Sequence, residues 1–262
     1  MVASQYGGRP GLLDFLKPQI QGFQDFILLA GRAFKNIFRS PHYSDDISLQ
    51  MDIIGVQSLP VVIMVGFFTG GVMGMQMARA LAQYGAQGQI GQIVAITLVR
   101  ELGPVLTAWV VAGRNGSGIA SELGSMKVTE QIDAMRALGT DPVQKLVTPR
   151  FIAASLMLPL LTIIADFMGI LGGFVIAVVV MDIPASQYWS TVWRALLFND
   201  VVQGLLKPLV FGMIISLVGC YFGLQTTGGT QGVGRSTTQA VVTAQIWIIV
   251  VTFFIGRIFV NL

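Results

Sequence analysis

The sequence predicts an all-α integral membrane protein: an N-terminal interfacial helix plus five transmembrane helices with a short cytoplasmic coupling helix. Three observations carry this. Of 262 residues, 53% are hydrophobic and 11% are charged, with a mean hydropathy of +0.71, whereas an ordinary soluble domain is about 25% charged. Five stretches stay apolar over the ~20 residues that a helix needs to cross a bilayer core. Basic residues gather on alternate connections between those stretches. The same composition excludes other classes. Cys220 is the single cysteine, so no intrachain disulfide forms, and His42 is the single histidine, so no His/Cys metal cluster does. The net charge of +3 reads as membrane topology rather than affinity for nucleic acid.

The chain divides into a cytoplasmic and interfacial segment, 1–52, and a transmembrane region, 53–262, read together as one membrane domain over 1–262. The first residues are broken by Pro10 and Pro18 and lack the apolar core and cleavage site of a signal peptide, so they are expected to be retained. Next, Phe23, Phe26, Ile27, Ala30, Phe34, Ile37 and Phe38 recur at helical spacing, with Arg32, Lys35 and Arg39 on other positions. This pattern predicts a helix lying in the membrane interface, stopped at Ser40-Pro41. The alternative is a helix packed against the spans.

The predicted spans are 53–78, 91–112, 151–181, 201–224 and 238–260. If they alternate, ten basic residues lie on one side: Arg9, Lys17, Arg32, Lys35, Arg39, Lys127, Arg136, Lys145, Arg150 and Arg235. The other side holds Arg79, Arg194 and Arg257, which predicts a cytoplasmic N-terminus. Gly66, Gly70 and Gly74 form two GxxxG steps in the first span, and Gly169/Gly173 and Gly219/Gly223 repeat the spacing. Such ridges let helix backbones approach closely, either within one subunit or in a homodimer.

Residues 124–150 carry the sharpest local signal. Thr129 is placed to cap a short helix, Glu130 and Asp133 put acids in its first turns, and Gly139 followed by Pro142 ends it. Ile132, Met135 and Leu138 would form an apolar edge exposed to the cytoplasm, which implies a partner. Within this helix, 133–139 (DAMRALG) resembles the EAA-xxx-G element of ATP-binding-cassette permeases, with Asp133 and Met135 departing from the motif and Ala134, Arg136 and Gly139 inside it. The longer run from Arg100 to Thr162, beginning RELGPVLTAWVVAGRNGSGIASELGSMKVTEQIDAMRALGTDPVQKLVTPRF, closely resembles the MlaE/YrbE permease family.

That resemblance implies the permease of a Gram-negative inner-membrane phospholipid transporter that maintains outer-membrane lipid asymmetry. It implies a homodimer with a cytoplasmic ATPase subunit that binds the ATP, a periplasmic MCE-domain ring and a cytoplasmic STAS-domain subunit. The ATPase coupling residues would be Glu130, Ile132, Asp133, Ala134, Met135, Arg136, Leu138 and Gly139. The closest approach to a P-loop, 229–236 (GTQGVGRS), has arginine where the phosphate-binding lysine belongs and reads as a turn between spans. No cofactor is therefore expected in this chain, nor any catalytic residue. An importer permease for a small polar solute and a non-transporting scaffold are the alternatives.

Charges inside spans need a reason, because each costs at least ~2.5–3.5 kcal/mol near the bilayer centre. Arg100 and Glu101 precede Gly103-Pro104, where helix geometry should be disturbed, and Lys207 precedes Pro208. Pairing of Lys207 with Glu101 would relieve both. Arg100, Glu101 and Lys207 are thus expected either at the wall of a lipid cavity or as a structural ion pair. Met73 and Met77, one turn apart beside the glycine ridge with Phe67 and Met64 further back, are the expected acyl-chain contacts. Arg114 is expected to snorkel to the interface, and Asp166 either to cap a backbone or to line the path.

Overall fold

The computed structural model describes residues 12–41 and 43–260, with side-chain surroundings from residue 21 to residue 259 apart from His42. The readings placed on Arg9, Pro10 and His42 lie outside the described residues, as do the side chains of Lys17 and Pro18. Eleven α-helices make up the described fold, in the order α1 (Leu12–Asn36), α2 (Ser44–Ile54), α3 (Leu59–Ala82), α4 (Ile90–Thr97), α5 (Gly103–Val111), α6 (Ser117–Val128), α7 (Gln131–Ala137), α8 (Thr148–Val179), α9 (Ala185–Ala195), α10 (Phe198–Leu224) and α11 (Gly229–Val260). They combine into five segments long and apolar enough to cross a membrane: Ser44–Ala82, Gln87–Val128, Val143–Val179, Phe198–Leu224 and Gly229–Phe259.

The five expected spans are therefore present, but their ends move. The first begins at Ser44 rather than 53 because α2 runs almost directly into α3 across Gly55 and a single turn, Val56–Ser58. Pro60 in the first turn of α3 has no N–H to donate, so the break falls where it costs least. The second span continues to Val128, well beyond 112, and is interrupted by two π-helical turns, Leu98–Leu102 and Ala112–Gly116. At about 1.5 Å per residue such a rod is longer than a ~30 Å hydrocarbon core. The fifth begins at Gly229: the stretch read as a Gly-rich turn is the opening of α11, and Gly228 and Gly229, with φ of +85° and +69°, make the turn instead. A further helix, α9, closes the opposite end of the bundle from α7. Its Tyr188 and Val192 are buried one turn apart, and the Tyr188 hydroxyl donates to Ile170 O at 2.9 Å.

The glycine ridges are spent within the subunit. A Cβ at Gly66 would stand 2.5 Å from Ala165 O, and one at Gly74 would stand 3.2 Å from Gly173 Cα. The same α3 face meets Gly169 through Gly70, so the ridge holds α3 against α8 at backbone distance. Gly219 and Gly223 likewise meet Gly116 O and Leu123 of the second span. None of these ridges is free to build a homodimer. The helix α1 divides its apolar residues: Phe26, Ala30, Ala33 and Ile37 pack with Ile119, Leu123, Ile132 and Phe151, whereas Phe23, Ile27, Phe34 and Phe38 are exposed with Arg32, Lys35 and Arg39. The packing expectation holds on one stripe of the helix, and the other stripe presents apolar and basic residues together on the surface.

Candidate functional site

A polar seam forms where the second span meets α10, and its origin is backbone chemistry. Pro104 has no N–H to give to the carbonyl four residues earlier, that of Arg100, inside the π-helical turn Leu98–Leu102. Lys207 of α10 supplies the missing donor: its Nζ donates to Arg100 O at 2.8 Å and lies 2.7 Å from Glu101 Oε1. Gln203, one turn earlier on α10, donates from Nε2 to the same carboxylate at 3.3 Å. On the other flank Arg100 donates from Nε to Asp200 Oδ1 at 2.5 Å, while Asp200 Oδ2 accepts the Leu197 N–H at 3.0 Å and so caps the start of α10. Two cations and two anions thus neutralise one another.

Burial in the seam is uneven. The Lys207 and Asp200 side chains are 0% and 2% exposed, whereas those of Glu101 and Arg100 are 45% and 42% exposed. The anchoring partners are inside and the accessible charges belong to the second span. Glu101 looks across to α11, where a Cβ on Gly256 would be 3.7 Å from its Oε1. Leu102, beside Glu101, forms one wall of an open groove of about 470 Å³ with Phe68, Thr69, Val72, Met73, Gln76 and Met77. The structure brings Arg100, Glu101 and Lys207 together in the seam and Met73 and Met77 together in the groove, and Leu102 is the groove residue that follows the seam in the chain. Met64 lies outside the groove and is exposed.

Asp200 and Gln203 are seam residues that sequence reasoning missed. Their signal was spacing: 200, 203 and 207 recur at three and four residues, one face of a helix. Arg114 gains partners that the sequence did not name: it donates from Nη1 to Ile53 O, Ser58 Oγ and Asn115 Oδ1 and from Nη2 to Gln57 Oε1, each at 3.0 Å. It is a staple across the α2–α3 break.

At the other end of the second span, α7 is shorter than expected and differently capped. Thr129 does not cap it; its hydroxyl donates back to Ser125 O at 2.9 Å, and Glu130, at φ 60°, is the entry residue rather than part of the first turn. Gly139, at φ +79°, ends the turn in a conformation that disfavours any side chain. Ile132 is 0% exposed, buried with Leu146, Val147 and Phe151, and Met135 packs against the same cluster. The expected exposed edge therefore reduces to Leu138, 83% exposed, flanked by exposed Asp133, Ala134 and Arg136. Lys127 Nζ lies 2.7 Å from Asp133 Oδ2 and Arg136 Nη1 3.0 Å from its Oδ1. The Lys127 bond, joined by Arg136, holds the Asp133 carboxyl below its ordinary value.

The segment after α7 is tied to the rest of the fold. Lys145 Nζ pairs with Asp46 at 2.5 Å and sits 4.2 Å over the Tyr43 ring, and Gln144 Nε2 donates to Arg39 O and Pro41 O at 3.2 and 3.0 Å. Arg150, 3% exposed, bridges back to Glu122 of α6 at 2.8 Å and donates to Leu146 O at 2.7 Å. The link between α7 and α8 is thus tied by charged and hydrogen-bonded contacts to the loop after α1, to α2 and to α6.

Comparison with known proteins agrees on one family. A protein of Synechocystis described as a probable ABC transporter permease is 44% identical over 97% of this chain and 95% of its own length. One of Rickettsia prowazekii with the same description is 41% identical over 89% of this chain and 90% of its own. The intermembrane phospholipid transport system permease protein MlaE of Haemophilus influenzae is 32% identical over 94% and 98%. The family described as Permease MlaE matches residues 47–258, a span that takes in α7, the polar seam and the Met73–Met77 groove, and this chain belongs to that family of ABC transporter permeases.

Proposed function

We propose that this chain is the translocation subunit of an ABC system that moves phospholipid between inner and outer membranes and so maintains lipid asymmetry, in a Gram-negative inner membrane with its N-terminus in the cytoplasm. The observation that carries the proposal is that the second span holds half-exposed Arg100 and Glu101 in the polar seam and, at the next residue, Leu102 in the wall of the open groove lined by Met73 and Met77. Such a site offers a guanidinium to a phosphate and flexible thioether walls to an acyl chain. A small polar solute would find only one of these useful, which disfavours the importer reading.

Energy enters through a partner. Leu138 and its charged neighbours are the surface offered to a cytoplasmic ATPase, which binds the ATP; the 229–236 stretch is helical and lacks the P-loop lysine. Closure of the ATPase pushes α7, and the ties at Gln144, Lys145 and Arg150 carry the push into the loop after α1, α2 and α6. A second copy of this chain, a periplasmic MCE-domain ring and a STAS-domain subunit complete the proposed complex. The uncovered outer face of α11, with Phe253 and Phe254 exposed, leaves room for the second copy now that the glycine ridges are occupied.

The experiment is reconstitution of the complex in liposomes with labelled phospholipid. The expected result is ATP-dependent lipid movement that falls at least tenfold in Glu101→Ala while assembly persists. Movement unchanged in that variant contradicts the cavity role, and lost assembly assigns the pair to structure alone.

A further inference from the structure

Between α1, α10 and α11 runs an open groove of about 610 Å³ that neither the seam nor α7 uses. Phe23 and Phe26 of α1 and Phe222 of α10 are its apolar walls. The Tyr221 hydroxyl donates to Gly22 O at 3.0 Å, and its ring meets that of Phe26 edge-on with centroids 5.6 Å apart, so α1 is held against α10 along one side. Gln225, just after α10, and Gln239, Thr243 and Trp247 of α11 complete the lining. The last three recur every four residues and form one stripe of their helix. Thr237, Thr238 and Thr252 of α11 each donate to the carbonyl four residues back. The Thr243 hydroxyl, by contrast, has no hydrogen-bond partner among the described residues, and neither do the side chains of Gln225, Gln239 and Trp247. Arg235 extends the stripe by one turn; it is exposed and makes no ion pair among the described residues.

We propose that this groove holds one glycerophospholipid, at a site separate from the Met73–Met77 groove, with the phosphate at Arg235, the ester carbonyls at Gln239 and Thr243, and a chain between Phe23, Phe26 and Phe222. The hydrogen-bonding sense of the stripe selects the occupant. Arginine and tryptophan side chains only donate, glutamine and threonine each bring a donor, and the hydrocarbon side of a span has no water to accept from them. The occupant must therefore carry acceptors in series, an anion first, beside apolar matter. From Arg235 to Thr243 the helix rises about 12 Å at 1.5 Å per residue. A phospholipid sets a phosphate and then its ester carbonyls along such a stretch. A fatty acid has one carboxylate and answers a single turn, and the helix of a second copy has already spent its backbone carbonyls within itself. The volume falls inside the range of about 300–1,000 Å³ common to ligand clefts. Side chains on a helix lean toward its N-terminus, so Arg235 leans away from the apolar part of the groove, toward the end where a head group lies. With the N-terminus of the chain in the cytoplasm, the orientation on which this last assignment rests, the lipid comes from the cytoplasmic leaflet.

The test reads binding, so it can fail while lipid transport stands, and the reverse. The full chain in a detergent free of phospholipid receives dioleoyl phosphatidylglycerol with a photoreactive group on one chain, or the matching diacylglycerol, which lacks the phosphate. Mass spectrometry maps the labelled residues. The phospholipid is expected to label Phe23, Phe26 and Phe222 about tenfold more than the diacylglycerol does, a preference that shrinks below about threefold in Arg235→Gln. Thr243→Trp, which fills the groove, should remove labelling there by both lipids and leave labelling beside Met73 and Met77 unchanged. Equal labelling by the two lipids in the unaltered chain overturns the proposal, as does a tenfold preference that survives Arg235→Gln. A groove filled by a second copy would take no label from either lipid, and that result overturns it too. If Thr243→Trp does not fold, Arg235→Gln, a change at an exposed position, decides the matter.

Discussion

Lys207 and Glu101 illustrate how a proline in one helix dictates a charge in another. Because Pro104 leaves the Arg100 carbonyl without its helical donor, Lys207 serves two acceptors at once, a carbonyl and a carboxylate. Removing Glu101 leaves a fully buried ammonium with the carbonyl alone. Glu101→Ala is therefore expected to destabilise the chain by about 2 kcal/mol, below the range for a fully buried pair because Glu101 is half exposed. Thermal unfolding in detergent measures it, and adding Lys207→Met to the same chain should recover much of the loss. Asp133 makes a prediction of pH. Its pKa is lowered, chiefly by the Lys127 hydrogen bond, so its contribution is complete above the ordinary carboxylate value of about 3.9 and is lost as pH falls through the lowered one. Hydrogen exchange at α7 should be insensitive to this bond between pH 7 and 5 and rise only under stronger acid, and Asp133→Asn should erase that dependence. The pairing of Lys207 with Glu101 was legible because both sit beside prolines in otherwise apolar runs. Asp200 was not: it stands at a helix start, where an acid has an ordinary capping use, and its second role depends on which helix folds beside it.

At the scale of helices, the spans were readable from apolar length, and their ends were not. A span ends in sequence where charge begins, but Val128 closes the second one only after Arg114, Glu122 and Lys127, each of which is tied to a neighbouring segment. Hydropathy cannot anticipate that a charged residue will be matched. The same limit hid α9, whose polar outer face interrupts the apolar signal, and turned Ile132 outward on paper. A seven-residue helix shows its two faces only once the chain around it has chosen one. The glycine steps were read correctly as close contacts but could not name the contacting helix. Gly70→Leu is expected to wedge α3 from α8 and abolish folded protein. Gly71→Ala, whose new Cβ would be 3.7 Å from Gly172 O, should change the melting temperature little. Equal loss from both would mean that the α3–α8 contact is not as close as described.

For the whole molecule, the account is one of a bundle with two working ends. One carries α7, whose following segment is tied by salt bridges to α2 and α6 and by hydrogen bonds to the loop after α1; the other carries the seam and the Met73–Met77 groove. The long second span links them, since Arg100 and Glu101 lie in one of its π-helical turns, Arg114 in the next, and Lys127 at its end. Because Leu138 is exposed and Ile132 is buried, the two positions separate docking from folding. Leu138→Asp should leave the chain folded and release the partner ATPase, whereas Ile132→Asp should disrupt the loop itself, as read by co-purification beside thermal unfolding.

The most direct measurement of the central claim is ATP-dependent transfer of labelled phospholipid by the reconstituted complex, comparing the unaltered chain with Leu138→Asp. The account predicts transfer that requires ATP, that requires the ATPase subunit and that is abolished in the variant. Lipid transfer that persists with the ATPase undocked, or ATP hydrolysis by this chain purified alone, would contradict it.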